Sequence, residues 1–493
     1  MYSSFNPSNL EFKTMMTKRR TLFKGAQILT MDDSVPDLTS GDLLVDGTMI
    51  AAIAPSIVNE EAEIVDSTGC VLLPGFVDTH RHTWQTQLHG VRTDWNHLDY
   101  MTFVRSMYCV CYEPEDAELG NYLGAMEALN SGITTLADHS HLQISEAHSD
   151  GLARGFLKSG IRGIYCYGVY RNPSYRPTDK DLRLDRLIAE VTGPLSDWHR
   201  ANALRIREKF FPSNDALVQF GVACSELSRG KSVKAMLEEV SWSRTLEPAR
   251  ISLHVAANRK EPINVVQELV RCQMIAPDIL FIHGNHLRDE ELKAIVDGGS
   301  TVASCIEPEM TYGAYPVVNR LAAMGGTPSI GIDVLIDFSG DMFGQMRALL
   351  NAWRLEVTTR SPEKMIRKIH QRRVLGIATI LGAKSLGLDS KVGSLVPGKE
   401  ADLVLMRMDG IGLAPMNNPY PAVVTYGHPS DVDSVMVAGK FMKRHGKLVD
   451  VDWPELRKQI SASRDRIMNR FRQIPEGPIR QLWTRSFNVE IVK

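Results

Sequence analysis

Two histidines, His80 and His82, stand two positions apart at the end of a short apolar run that spans residues 71–77. Residues i and i+2 of a β-strand project from the same face, so both imidazoles can reach one point. Two neutral imidazoles at a strand end are good ligands for a borderline divalent ion such as zinc. Pairs at this spacing are common by chance, so the pair predicts a metal site only if further ligands converge on it.

Further histidines and carboxylates end or follow later apolar runs, in succession along the chain. They are His139 and His141, His254, His283, Glu307 and Glu309, and Asp333. For any one of them alone, a structural role is the simpler explanation. Their recurrence at the ends of successive runs favours a shared site, because three imidazoles and one carboxylate form the ligand set of a catalytic zinc centre that keeps a place for water.

The apolar runs are the candidate strands that must position these side chains. They span residues 72–79, 132–138, 161–169, 217–224, 250–255, 279–283, 300–305 and 327–333, and helix-like segments separate them. Eight strand–helix alternations predict an α/β fold, a (β/α)₈ TIM-type barrel, with a doubly wound parallel sheet as the competing topology. In such barrels the catalytic groups lie at the carboxyl ends of the strands, which is where the histidines and carboxylates fall.

Short β-like runs flank the predicted barrel on both sides. Residues 21–70 and 388–450 are expected to combine into a small β-sandwich domain, beside a barrel at residues 71–387. Residues 1–20 are polar and are expected to form a flexible extension. Residues 451–493 are expected to form a charged C-terminal helix followed by a tail.

Composition excludes several classes of protein. Of 493 residues, 43% are hydrophobic and 23% are charged, and the formal net charge is −2, so we expect no nucleic-acid or membrane partner. The sequence shows neither a secretory signal pattern nor an apolar run of ~18 residues. Seven scattered cysteines predict reduced thiols and a cytoplasmic protein. The expected partners are a small-molecule substrate and, from the base rate for barrels, a second or further copy of the chain.

Three segments resemble one known family. Residues 74–82, Pro-Gly-Phe-Val-Asp-Thr-His-Arg-His, look like the first strand of the amidohydrolase superfamily, and residues 393–404 look like its C-terminal sandwich signature. Residues 283–291, His-Gly-Asn-His-Leu-Arg-Asp-Glu-Glu, resemble the strand-six motif of its deaminase-like branch, the cytosine deaminase, guanine deaminase and triazine hydrolase group. The resemblance covers about residues 21–450. It implies a barrel, a sandwich built from both termini, and one divalent metal ion, zinc or else iron(II).

The resemblance also implies roles for individual residues. The metal ligands are His80, His82, His254 and Asp333. Asp333 also accepts the proton of the attacking water, and His283 polarises the substrate or orients that water. Gln85 stands where guanine deaminases carry a substrate-binding glutamine. Trp84, His139 and His141 are further candidates to line the substrate pocket.

One departure from the family pattern bears on the reaction. Deaminases of this branch carry a proton-shuttling glutamate three residues after the strand-five histidine, and here that position is Ala257. Alanine transfers no proton, so the shuttle is missing, displaced or unnecessary. Glu307 and Glu309, which follow the seventh strand, are candidate replacements, and a solvated pair of loop residues is an equally good explanation of them.

These observations predict a metal-dependent hydrolase that attacks a C–N bond of a small cyclic substrate, such as an amide, an amidine or an aminated heterocycle. Because the glutamate is absent, hydrolysis of a C–Cl or ester bond and a lyase or isomerase reaction stay open as alternatives. A third hypothesis is an inactive barrel used as a binding module. Retention of all four expected ligands and His283 argues against it, because no structural role requires that set together.

Overall fold

The structure, a computed structural model, describes residues 20–487 apart from residues 92–93, 180–181, 184–185, 188, 191–192, 226–231, 258–262, 312 and 361–369. The expected N-terminal extension and the last six residues, 488–493, lie outside the described residues. Within the described range the chain forms two sheets. Neither the extension nor the end of the expected tail can therefore be compared with the structure.

The larger sheet contains eight parallel strands, which pair in chain order. They are β6 (Phe76–Arg81), β7 (Ile133–Ser140), β8 (Arg162–Gly168), β9 (Val218–Ala223), β10 (Ile251–Val255), β11 (Ile279–His283), β12 (Thr301–Ser304) and β13 (Pro328–Ile330). A parallel bridge between Arg81 and Asp333 joins the last strand to the first. The predicted barrel is therefore confirmed, and the doubly wound sheet is excluded.

Helices follow the barrel strands and cover the outside of the barrel. They are α1 (His97–Thr102), α2 (Pro114–Asn130), α3 (Glu146–Lys158), α4 (Asp197–Phe210), α5 (Val233–Arg244), α6 (Val265–Arg271), α7 (Asp289–Asp297), α8 (Ile306–Thr311), α9 (Val318–Ala323), α10 (Met342–Arg360), α11 (Gln371–Ile377) and α12 (Ile380–Leu386). Four short helices lie in the first βα connection and near residue 425: Thr83–Leu88 (3₁₀), Phe103–Tyr108 (π), Cys109–Cys111 (3₁₀) and Ala422–Tyr426 (π). Buried apolar residues of α5, α6 and α7 pack against β10 and β11, which is why these amphipathic segments form helices here.

The smaller sheet contains nine strands from both ends of the chain. They are β1 (Arg20–Ile28), β2 (Leu38–Asp46), β3 (Met49–Ala54), β4 (Glu63–Asp66), β5 (Cys70–Pro74), β14 (Leu403–Arg407), β15 (Val432–Val437), β16 (Lys440–Arg444) and β17 (Lys447–Leu448). Strand β5 lies at the centre, between β1 from the front of the chain and β14 from the back. The two β units expected from the sequence therefore do join into one sheet.

The single strand expected at residues 72–79 is wrong, because the chain changes sheets at Gly75. Residues before it, in β5, pair within the smaller sheet, and residues after it, in β6, open the barrel. A Cβ at Gly75 would lie 2.0 Å from Thr134 Oγ1, so only glycine fits this crossing. The apolar character of both halves hid the division, since β5 and β6 are buried on both faces.

The C-terminal region contains two long helices in place of one helix and a tail. Helix α13 is a single turn (Pro419–Pro421), α14 spans Trp453–Phe471, and α15 spans Glu476–Phe487. Helix α15 contacts α1, and the Trp483 indole N–H donates to Ser106 Oγ at 2.7 Å. No helix in the described part of the chain is long and apolar enough to cross a membrane. All seven cysteines are free thiols.

Candidate metal centre and catalytic site

Strand β6 brings His80 and His82 to the carboxyl end of the barrel, and the segment after β13 brings Asp333 beside them. The backbone N–H of His82 donates to Asp333 O at 2.8 Å, and the N–H of Asp333 donates to His80 O at 2.9 Å. A Cβ at Gly331 would lie 2.7 Å from the His80 backbone, so glycine permits this close approach. Asp333 has a left-handed φ of 68°, which ends the strand and turns its side chain towards the histidines.

The four predicted metal ligands converge. His80 Nε2 and His82 Nε2 lie 3.5 Å and 3.3 Å from Asp333 Oδ1, and His254 Nε2 lies 3.2 Å from His80 Nε2. Donor atoms bound to one tetrahedral zinc ion at about 2.0–2.1 Å are separated by roughly 3.3 Å. His80, His82 and Asp333 therefore form one group of donor atoms that fits a divalent ion, and His80, His139 and His254 form a second group that shares His80.

The surroundings favour the ligand forms of these side chains. Burial lowers the pKa of His80 to about 4 and holds the pKa of His254 well below its usual range, so both rings are neutral. Burial raises the pKa of Asp333, but hydrogen bonds from His80 and His82 outweigh it, and the carboxyl pKa lies well below its usual range. His82 Nδ1 lies 2.9 Å from the His139 carbonyl oxygen, which fixes the tautomer whose Nε2 lone pair is available to a metal.

His283 lies next to this cluster and is held by a carboxylate. Its ring stacks on His254 with centroids 5.4 Å apart and planes 18° apart, and its Nδ1 lies 3.2 Å from Glu309 Oε1. Glu309 also accepts hydrogen bonds from the Cys305 N–H at 2.6 Å and from Asn285 Nδ2 at 3.0 Å. Burial raises the pKa of Glu309, and these donors oppose the rise. His283 has φ of 71°, a strained value at the end of its strand.

The structure brings Glu309 to the cluster but not Glu307. Both belong to α8, where residues two positions apart point about 200° apart. Glu309 is fully buried against His283, whereas Glu307 Oε2 accepts from Gln345 Nε2 at 2.8 Å. The expectation of a solvated loop pair is therefore wrong for both residues, since α8 begins directly after β12.

A hydrogen-bonded chain links Gln85, Trp84 and His141. Gln85 Nε2 donates to Tyr100 Oη at 2.9 Å, Tyr100 Oη lies 3.4 Å from His141 Nε2, and Trp84 Nε1 donates to His141 Nδ1 at 3.0 Å. The His141 ring stacks on His82 with centroids 4.1 Å apart. Trp84 is fully buried and holds His141 in place. Gln85 is also buried, and its Oε1 has no hydrogen-bond partner among the described residues.

His139 lies between the ligand cluster and a tyrosine that sequence reasoning missed. Its Nδ1 lies 2.9 Å from Ser252 Oγ and its Nε2 lies 3.0 Å from Tyr170 Oη. The same hydroxyl lies 2.9 Å from His254 Nδ1, so Tyr170 supports a predicted metal ligand from behind. Tyr170 follows β8 by two residues, and an inspection of strand ends that included aromatic residues would have found it.

The position of the absent glutamate is small, buried and uncharged. Ala257 follows β10 and is 8% exposed. Its neighbour Ala256 has a left-handed φ of 46°, so the chain turns sharply here. Residues 258–262 lie outside the described residues. The carboxylate that contacts a histidine of the cluster from another strand end is Glu309.

Comparison with known proteins gives consistent results over most of the chain. The model of the amidohydrolase family matches residues 71–442. A 5-methylthioadenosine/S-adenosylhomocysteine deaminase of Moorella thermoacetica is 28% identical over 408 residues, 81% of this chain and 87% of the relative. A 5'-deoxyadenosine deaminase of Methanobrevibacter smithii is 24% identical over 465 residues, 90% and 97% of the two chains.

Two solved structures share the fold. An adenosine deaminase from Xanthomonas campestris with bound zinc superposes with a TM-score of 0.76 at 19% identity, over 91% of this chain and 98% of that one. An atrazine chlorohydrolase from Arthrobacter aurescens, complexed with zinc, superposes with a TM-score of 0.75 at 18% identity, over 90% and 100% of the two chains. Identities this low support the shared architecture and nothing finer.

Proposed function

Because the chain belongs to the amidohydrolase family and is accordingly a metal-dependent hydrolase of carbon–nitrogen bonds, we propose that it hydrolyses such a bond in a small nitrogen heterocycle. The group formed by His80, His82 and Asp333, with His254 Nε2 3.2 Å from His80 Nε2, carries this proposal. The bond is the exocyclic C–N bond of an aminated ring, or the C–N bond of a cyclic amide or amidine.

In this proposal His80, His82, His254 and Asp333 hold one divalent ion. Zinc is the metal of choice, since zinc is bound in the two structural neighbours and suits three imidazoles with a carboxylate. When bound, such an ion acidifies water and polarises the substrate. Iron(II) is the second candidate, because imidazole and carboxylate ligands suit it as well.

Proton movement is assigned to Asp333 and to the pair of His283 and Glu309. Asp333 accepts a proton from the attacking water. Glu309 holds Nδ1 of His283, so Nε2 is the ring nitrogen that hydrogen-bonds the reacting substrate atom, takes up the proton from Asp333 and passes it to the leaving nitrogen. The pair replaces the shuttle that is absent at Ala257, because a buried carboxylate stabilises the imidazolium that forms when His283 takes up a proton.

Gln85 is assigned to substrate recognition. Its buried Oε1 has no hydrogen-bond partner among the described residues, and such an atom is costly until a ligand donates to it. A ring N–H or exocyclic amino group is the matching donor. The curated relatives named above are deaminases of adenosine derivatives, whose adenine ring is an aminated heterocycle. His139 and His141 border the same pocket.

Dechlorination is a second candidate, and Ala257 favours it. A chloride leaving group needs no proton, so a site without the usual glutamate suits it. Parallel assays for ammonia and chloride release, with aminated and chlorinated forms of one heterocycle, separate the two reactions. Chloride release alone would replace the first proposal by the second.

The test of the metal site is His254→Ala, with His445→Ala as the control because His445 is exposed on the smaller sheet. Wild type is expected to contain about one zinc per chain by mass spectrometry. We expect His254→Ala to lower metal occupancy on the order of tenfold or more, to abolish ammonia release from 5'-methylthioadenosine and 5'-deoxyadenosine, and to abolish ring opening of cyclic amides. Wild-type protein without stoichiometric metal, or an active His254→Ala variant, contradicts the proposal.

The proposal extends to the compartment, oligomeric state and partners of the enzyme. We expect a cytoplasmic homodimer or larger homo-oligomer that acts on a small molecule and binds neither nucleic acid nor membranes. Light scattering of the purified full chain tests the oligomeric state, and a monomer at micromolar concentration would contradict it.

A further inference from the structure

Arg105 is a buried guanidinium that has no counter-ion among the residues that the structure describes. It lies in the π-helix Phe103–Tyr108 and is 6% exposed. Its Nη1 donates to Asn172 Oδ1 at 3.1 Å, and its Cζ lies 4.9 Å from the centre of the Tyr170 ring. Among the described residues no carboxylate pairs with it, and its other N–H groups make no hydrogen bond.

These neutral contacts do not balance the cost of burial. A cation–π contact contributes about 0.5–2 kcal/mol, whereas removing a charge from water costs several kcal/mol even after relaxation. Elsewhere in the chain a buried guanidinium has its anion: Arg162 pairs with Asp402, and Arg81 pairs with Asp78. Of the three buried arginines Arg81, Arg105 and Arg162, Arg105 is the one that has no carboxylate partner among the described residues.

Arg105 lies at the catalytic end of the barrel. The ring that it covers belongs to Tyr170, whose hydroxyl contacts both His139 and His254. Asn172, which accepts from Arg105, donates in turn to the His141 carbonyl oxygen at 3.0 Å. One aromatic ring therefore separates the guanidinium from the imidazoles of the candidate site.

Neighbouring elements fix the segment that carries Arg105. Ser106, the next residue, receives a hydrogen bond from Trp483 of α15 on its side chain. Its carbonyl oxygen accepts from the Tyr175 hydroxyl at 2.5 Å. The π-helix is thus held from two sides, and a rigid guanidinium at a fixed place is what recognition of a planar anion requires.

We infer that Arg105 binds a carboxylate of the substrate, so that the heterocycle hydrolysed here is an acid. The inference rests on the proposed function for the position of the substrate. A single guanidinium matches the single charge of a carboxylate better than the charge of a phosphate monoester, which is about −1.5 to −2 at neutral pH.

The test is ligand-observed NMR titration of the zinc-loaded full chain with benzoate and benzamide, which differ in charge and little in shape. We expect benzoate to bind wild type on the order of tenfold more tightly than benzamide. Arg105→Met should remove this preference and leave benzamide affinity unchanged. Arg105→Lys should keep part of it, and Arg154→Met, at an exposed ion pair with Glu118, should keep all of it.

A zinc-stripped sample of wild type separates Arg105 from the metal as the anion receptor and needs no variant to fold. The inference is overturned if the preference for benzoate disappears on removal of zinc, or if Arg105→Met retains it. The outcome is independent of hydrolysis: preserved benzoate binding without release of ammonia or chloride, and without ring opening of cyclic amides, would sink the proposed function alone.

Discussion

Ala257 carries no ionisable group, whereas Glu309 reaches His283 from a different strand end. Under the proposed function, the proton-handling carboxylate stands in the first turn after β12 and not at the end of β10. In this arrangement a carboxylate, Glu309, still lies beside His283. It contacts Nδ1, the ring nitrogen on the side away from the proposed substrate position, so it can act on the substrate only through the imidazole. Glu309 is therefore a positioning residue.

The substitution Glu309→Gln tests whether Glu309 positions His283. A glutamine still accepts from Cys305 but no longer stabilises the imidazolium, so kcat should fall about 10²-fold while KM and zinc content stay near wild type. The dependence of kcat on pH should also change in this variant, with a shift of both the acid and the alkaline limb of the profile. Glu307→Gln is the matched control, being the same change on the same helix at a residue that contacts Gln345. Equal effects of both variants would refute the assignment.

Looking for polar residues at the carboxyl ends of the predicted strands finds most of the candidate site. It misses residues that irregular backbone segments bring to the site. His80, His254 and His283 lie in the last two residues of their strands, and His82 and Asp333 follow theirs within three residues, so the order of strands in the sequence predicts the cluster. Arg105 lies in a π-helix inside a long connection, and no periodicity places its side chain near Tyr170. Trp84 belongs to the 3₁₀ turn after β6, where it points into the core and supports His141.

At the scale of elements, most strands and helices follow from hydrophobic runs, and the exceptions have physical causes. Residues 327–333 were expected to form one strand, but β13 spans only Pro328–Ile330, and Asp333, three residues further on, has a left-handed φ of 68°. The second C-terminal helix, α15, is amphipathic and packs against α1, a contact that the sequence does not reveal. Residues 70–81 look like one continuous strand in the sequence. Both β5 and β6 are buried on both faces, so the hydrophobic pattern does not change where the chain passes from one sheet to the other.

The junction between α2 and the smaller sheet contains a second buried cation. Lys443 of β16 is 3% exposed, and its Nζ donates to Asn130 O at 2.7 Å and to Pro429 O at 3.3 Å. Asn130 is the last residue of α2, so the amino group satisfies a carbonyl at the negative end of that helix. Burial nevertheless lowers the pKa of Lys443 to about 8.

The stability of this junction should depend on pH. Between the folded pKa of about 8 and the unfolded value of about 10.4, the unfolded chain holds a proton that the folded chain has released, so the free energy of unfolding rises with pH. Urea unfolding of wild type and Lys443→Met should give a stability difference that grows in favour of wild type from pH 7.5 to 9.5. Lys440→Met, at an exposed residue of the same strand, should show no such trend. A constant difference for Lys443→Met contradicts the argument.

At the scale of the molecule, the barrel and the smaller sheet are joined by a buried ion pair. Arg162 of β8 donates from Nε to Asp402 Oδ2 at 2.9 Å and also pairs with Glu400, and Asp402 accepts from the Ala438 N–H at 2.8 Å. Glu400 and Asp402 belong to the family-like segment 393–404. Its acidic residues therefore serve to fasten one sheet to the other.

Breaking this pair should cost more than breaking an exposed one. We expect Asp402→Asn to lower the free energy of unfolding by about 3–5 kcal/mol, since it leaves Arg162 buried without its full counter-charge. Combining Arg162→Met with Asp402→Leu should recover part of that loss. Removing the exposed Arg407–Asp409 pair by Arg407→Ala should cost under about 1 kcal/mol. Urea denaturation measures all three, and equal costs for the buried and exposed pairs would refute the claim.

The change of sheet at Gly75 also sets an order of events during synthesis. Strand β5, which continues into the strand that carries His80 and His82, pairs with β14, and β14 leaves the ribosome roughly 330 residues later. At ~5–20 residues per second that interval is on the order of half a minute. Through it, β6 and the two histidines at its end are already made, but β5 has only β1 beside it in the smaller sheet. We therefore expect the smaller sheet, which anchors the start of β6, to be completed only after all eight barrel strands have been made, so that a chain truncated before β14 lacks that anchor.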